Sequence, residues 1–271
     1  MSSNNDVYQH RVVSIGSLLL SAYGNVQLLF NYGKLSGEIS TTPFSNFLIF
    51  MIVYWAVYYL VQLVYLNRVV SVNVDSSETN ALAITHNLIS FNTFTFIWSL
   101  LFRFRWYVVS EIVVIIELFV ILNNYLNYKI YAFKPLKNFL LINLTNGSLP
   151  LSWIFFVLFW NGALMVHSTG FVARVLANIF IWDFLIIGVV FLTLFNDYTV
   201  GFSLSYLVLG MALNQLFTKF VALQWIFGFI ISGLLLVISV GTILLKPKLK
   251  DQIVVQEESV GSATAPLLGG N

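Results

Sequence analysis

The feature that most constrains this chain is the spacing of its apolar residues: they come in runs of about 20, separated by short polar breaks, nearly end to end. About 20 apolar residues in helical form cross the hydrocarbon of a bilayer. Within hydrocarbon every backbone polar group must be satisfied inside its own segment, which leaves the helix as the structure for such a run. The sequence therefore predicts an all-α fold, a polytopic transmembrane helix bundle of about eight spans. They are expected near 12–30, 45–66, 81–101, 106–126, 151–166, 172–195, 199–217 and 221–245. Residues 1–11 read as a short cytosolic N-terminal segment, 12–245 as the bundle, and 246–271 as a disordered cytosolic tail. The stretch from Lys137 to Leu149 fits either an interfacial helix or an extension of the fifth span.

Composition narrows the partners. The chain is 59% hydrophobic, with only 13 Lys and Arg against 11 Asp and Glu, so the bilayer is the partner and nucleic acid is not expected. Cysteine is absent, which removes disulfides and thiolate chemistry. Three scattered histidines make no metal motif, and no phosphate or dinucleotide fingerprint occurs, so neither metal nor cofactor is expected and no catalytic residue is assigned. Counted over eight spans, basic residues favour both termini in the cytosol. The same orientation puts the sequons Asn143-Leu144-Thr145 and Asn146-Gly147-Ser148 on the cytosolic side, where they are expected to stay unmodified.

Ionisable and amide side chains inside spans are costly and mark either helix contacts or a site. Ser110, Glu117 and Asn124 recur every seven residues and share one helix face, which cannot look at lipid. Glu117 lies near mid-bilayer, where it is expected to be neutral and hydrogen-bonded to a Ser, Thr, Asn or His of a neighbouring helix, the third span first among the candidates. Glu111 is nearer the interface, within reach of Arg103 or Arg105. Asp183 sits mid-span on an otherwise apolar face, so its partner must come from another helix; His86, His167, Asn161, Asn214 and Gln215 are the candidates. In the third span His86 heads one polar stripe, and Thr85, Asn92 and Ser99 form a second. Trp160 and Trp182 sit deep, beside Asn161 and Asp183. Small polar residues (Ser14, Ser17, Ser21, Asn25) and small-xxx-small spacing (Gly201 with Ser205, Gly228 with Ser232) read as helix packing.

Thr42-Pro43-Phe44 leads a Trp-bearing span, Asn87, Asn92 and Trp98 mark the next, and Pro150-Leu151-Ser152-Trp153 leads another. This order resembles a fungal family of multi-spanning membrane proteins of unknown function, a resemblance that implies no activity. More loosely it is similar to tryptophan-rich membrane proteins of the translocator type. Those have five spans against about eight here, so no ligand site transfers.

Three functions compete. The first is a small transporter or carrier of a lipophilic or small polar ligand, using Glu117, Asp183, His86, Asn92, Trp160 and Asn161. The second is a structural scaffold or assembly factor of an internal membrane, in which the same residues hold helices together. An intramembrane lipid-modifying enzyme ranks third. A cavity joining Glu117, Asp183 and His86 would favour the first or third, and separate hydrogen-bonded pairs the second.

Overall fold

The computed structural model describes residues 4–39, 42–68, 79–131, 139–167, 170–218 and 223–263. They form α1 (Asn4–Ile39), α2 (Leu48–Arg68), α3 (Thr79–Arg103), α4 (Tyr107–Tyr131), α5 (Phe139–Asn143), a π turn (Leu144–Ser148), α6 (Leu149–Met165), α7 (Phe171–Phe180), α8 (Trp182–Leu194), α9 (Tyr198–Thr218) and α10 (Gln224–Ala263). Four non-glycine residues with positive φ, Phe44, Arg105, His167 and Asn196, all sit where one helix ends and the next is about to begin. There a left-handed residue closes the last turn and redirects the chain.

Contacts fix the direction of each helix. His10, Ser17, Gly24 and Gln27 of α1 meet His86, Asn92, Ser99 and Arg103 of α3 in the same order, so the two helices run parallel. Tyr32 with Asn46, and Asn25 with Tyr59, make α2 antiparallel to α1. A tight turn through Arg105 reverses the chain into α4. Ser205 with Ser232, and Gly201 with Ser239, make α10 antiparallel to α9. Glycine is required where α9 and α10 cross at Gly228: a Cβ there would lie 2.8 Å from the Ala212 Cβ, which cannot swing aside.

Among the described residues, seven helices are long and apolar enough to cross a membrane: Gln9–Tyr32, Leu48–Asn67, Tyr107–Asn127, Leu140–Met165, Phe171–Leu194, Tyr198–Thr218 and Gln224–Leu245. The expected count was about eight. The difference is α3, which is 25 residues long but diluted by Thr85, His86, Asn87, Asn92 and Ser99. It nonetheless runs beside α1 over the same length.

Of the two readings of 137–149, the described residues take the second: helix runs from Phe139 through the π turn into α6. Pro150 has no amide proton and its ring displaces the carbonyl four residues back. Just ahead of it the helix widens, and Leu149 N–H bonds the Leu144 carbonyl five residues earlier. The sixth span is two helices meeting at Ile181. At the ends, α1 begins at Asn4 and α10 continues to Ala263, so helix occupies residues read as terminal segments; 264–271 lie outside the described residues.

The Leu140–Met165 and Tyr198–Thr218 helices form the interior, buried over 78% and 67% of their most apolar windows, against 28–39% for the other five. Trp153 of α6 is the hub: its ring lies 4.8 Å from Trp55, 5.5 Å from Tyr54 and 6.1 Å from Trp98. The peripheral helices turn Leu19, Phe30, Leu60, Phe119, Ile186 and Val237 outward, a surface suited to hydrocarbon.

Candidate functional site

The polar residues of the interior fall into separate groups, each joining a few helices. Between α1, α2 and α3, Gln62 and Asn92 exchange two amide hydrogen bonds of 3.1 Å, and Asn92 donates a third to Ser17 at 3.3 Å. One turn away, Asn25 donates to the Tyr59 hydroxyl at 2.7 Å, and Ser21 shares a bond with it at 3.0 Å. Asn92 is thus saturated within its seam. His86 is exposed at the end of that seam, its ring edge-on to His10 at 4.8 Å.

A second group joins α4 to α6. Asn161 donates to Glu111 Oε2 at 2.7 Å and to the Tyr107 carbonyl at 3.0 Å, and accepts from Ser110 at 2.7 Å. The amide of α6 thus takes up the Glu111 carboxyl, while Arg103 donates to Gln27 of α1 at 3.2 Å.

Glu117 is 1% exposed. Thr95 of α3 faces it, which is the expected helix, but neither carboxyl oxygen nor the Thr95 hydroxyl is in a hydrogen bond among the described residues. Trp160 is also fully buried and packs against Trp98 and Phe102, with its indole N–H in no hydrogen bond among the described residues. Asp183 lies on the outer side of α8, partly exposed, with no hydrogen bond among the described residues. Of its expected partners, Asn161 is taken by Glu111, and Asn214 and Gln215 both donate to Ser45. Of the six expected site residues, the structure sets Trp160 beside Asn161 on α6, ties Asn92 and Asn161 into different hydrogen-bonded groups, and leaves Glu117 and Asp183 without a hydrogen bond among the described residues.

The densest polar group was missed at the sequence level. Asp197, 3% exposed, precedes α9 and caps it by accepting from the N–H of Thr199 and Val200. The same carboxylate accepts from Tyr125 of α4 at 2.6 Å and from Asn143 at 3.0 Å, with Ser148 and Thr199 alongside. The widened turn before Pro150 carries Asn143 and Ser148 into this junction. The available signal was an acid two residues ahead of Thr199 at the start of a span, the N-cap position. Asn143 and Asn146 of the two sequons are both buried.

Two apolar grooves open on the outer surface. One, about 490 Å³, lies between α2, α9 and α10, with Tyr54, Ser203 and Ser232 on its walls. The other, about 280 Å³, lies between α6 and α7. Neither is lined by any of the six residues. Among the described residues no three His, Asp or Glu side chains gather as a metal site.

These features define a multi-pass helical bundle with membrane-crossing helices, fastened internally by hydrogen-bonded polar groups. Residues 174–268, about a third of the chain, match a family described as fungal protein of unknown function (DUF1774), and the resemblance to a fungal family of unknown function is borne out over that part. The chain is also similar to an uncharacterised protein of Schizosaccharomyces pombe, 40% identical over 70 residues. That match covers 26% of this chain and 26% of the relative, so the chain spans about a quarter of the curated relative it matches. No solved structure matches.

Proposed function

We propose that this chain is a scaffold or assembly factor of an internal eukaryotic membrane, crossing it eight times with both termini in the cytosol. The observation that carries this reading is the separation of the polar residues. Asn92, Glu111, Asn161 and Asp197 are each taken up by neighbouring helices, His86 lies at one end of the bundle and Asp183 on its outside. Such bonds hold helices in register at modest individual gain, typically about 0.6 kcal/mol within a membrane. The eighth crossing is α3, because a helix parallel to α1 over the same length traverses the same thickness. An even number of crossings puts both ends on one side.

A carrier of a lipophilic or small polar ligand is the second reading. It is favoured by the groove of about 490 Å³ and by Glu117, whose buried oxygens have no hydrogen bond among the described residues. The two readings part in one experiment. The purified protein is reconstituted into liposomes containing a pH-sensitive dye, and proton and cation flux are followed under an imposed gradient. The scaffold reading expects flux equal to that of protein-free liposomes, with Glu117→Gln indistinguishable from wild type. Flux that depends on Glu117 would overturn it in favour of the carrier.

A further inference from the structure

Asp183 occupies a position that the helix-fastening role does not explain. It is twelve residues from Phe171 and eleven from Leu194, the ends of its span, so about 17 Å of helix separates it from either interface. A short side chain at that depth reaches neither water nor headgroups. Its neighbours along the surface are apolar and exposed, Ile179 and Ile186 at 59% each and Val190 at 40%.

The groove between α6 and α7 lies beside it. Leu176 and Phe180 line that groove, and Asp183 follows them by seven and three residues on the same side of the helix. Helical phase carries across Ile181, whose φ of −61° and ψ of −27° stay in the helical region. Four of the eleven residues lining the groove are small, Gly162, Ala163, Ala173 and Ala177, the residue type that lets another helix backbone approach closely in a membrane.

We infer that the α6–α7 groove and Asp183 together dock a transmembrane helix of another protein, one that carries a Lys or Arg at mid-bilayer depth to meet the Asp183 carboxylate. Charge selects this occupant. A lipid supplies apolar chains there, but its cationic headgroup stays at the interface. A second copy would bring a second Asp183 and no base, since Arg174 lies nine residues away on the opposite face of its helix. The inference rests on the assembly reading and names its partner class.

The test uses a defined probe: a labelled 22-residue Leu–Ala helix bearing one central Lys, and the same helix without it. Each is reconstituted with the full chain in phosphatidylcholine vesicles. The cysteine-free sequence takes an acceptor dye at Leu194→Cys, an exposed position, and association is read by energy transfer. The Lys helix should bind at least tenfold more tightly than its Leu–Ala control. Asp183→Leu, which suits lipid and should not impair folding, should erase that difference, and Asp183→Asn should reduce it. Equal binding of the two helices, or a Lys preference that survives Asp183→Leu, overturns the inference. So does Asp183-dependent dimerisation of the chain itself, counted by single-molecule photobleaching. Flux in the liposome assay would instead strike the assembly reading and leave the peptide result intact.

Discussion

Replacing Asp197 with alanine should be among the most damaging single changes in this chain, and its cost can be assembled from the contacts. Loss of the cap on α9 removes about 1 kcal/mol. The Tyr125 hydroxyl, which donates to the carboxylate at 2.6 Å, loses this acceptor, costing about 1–3 kcal/mol. Asn143 adds little, because it also donates to Ser148 at 2.8 Å and to Thr199 at 2.9 Å. The total is about 2–4 kcal/mol. Unfolding in mixed micelles by rising SDS fraction, followed by the fluorescence of the seven tryptophans, measures it. Asp197→Asn keeps a single acceptor oxygen, enough for the cap held on Oδ1 or for Tyr125 held on Oδ2 but not for both, and should lose about 1 kcal/mol. Tyr125→Phe made in the Asp197→Ala background should cost less than in wild type, since the bond between the two is already gone, with a coupling of about 1–2 kcal/mol. An Asp197→Ala loss under about 1 kcal/mol, or a cycle without coupling, would refute the idea that this carboxylate ties α4, the widened turn and α9 together.

Gly210→Ala should destabilise by about 1–3 kcal/mol in the same assay, because its Cβ would sit 2.2 Å from Asn46 Oδ1 and 2.7 Å from Phe50 Cβ. The neighbouring backbone, where Phe47 N–H bonds the Gly210 carbonyl at 3.2 Å, cannot easily move aside. Neither sequon should be glycosylated, so endoglycosidase should leave the gel mobility of the natively expressed protein unchanged; a shift would contradict the burial of Asn143 and Asn146. Tags fused ahead of Met1 and after Asn271 should be protease-accessible from the same side of sealed membranes, and opposite accessibility would remove α3 as a crossing.

Runs of twenty apolar residues were enough to read α1, α2, α4, α9 and the membrane-crossing part of α10, because hydrocarbon leaves a helix as the only option. The seven-residue stripe through Thr85, Asn92 and Ser99 was legible for the same kind of reason: periodicity fixes a face, and a polar face must meet protein. Periodicity does not fix the neighbour, however. Asn92 found Gln62, Glu111 found Asn161, and Asp183 found nothing among the described residues. Asn143 to Ser148 fitted either an interface or a longer span, because four polar residues in six rarely enter a core. Only the fold reveals that a widened turn aims them at Asp197. Asp197 itself looked ordinary because an Asn-Asp pair between two spans is usual turn chemistry.

The placement of that turn bears on how the protein is made. Asn143 and Ser148 find the carboxylate that completes their junction 54 and 49 residues further along the chain. During synthesis, at about 5–20 residues per second, the α5–α6 segment emerges several seconds before Asp197 exists. For that interval an almost wholly inward-facing helix has no finished interior to face. The insertion machinery, or the α2, α3 and α4 helices already made, must shelter it until the α8–α9 hairpin arrives. A ribosome stalled between the two segments should therefore leave the former trapped beside the translocation channel, as a still-unreleased nascent chain.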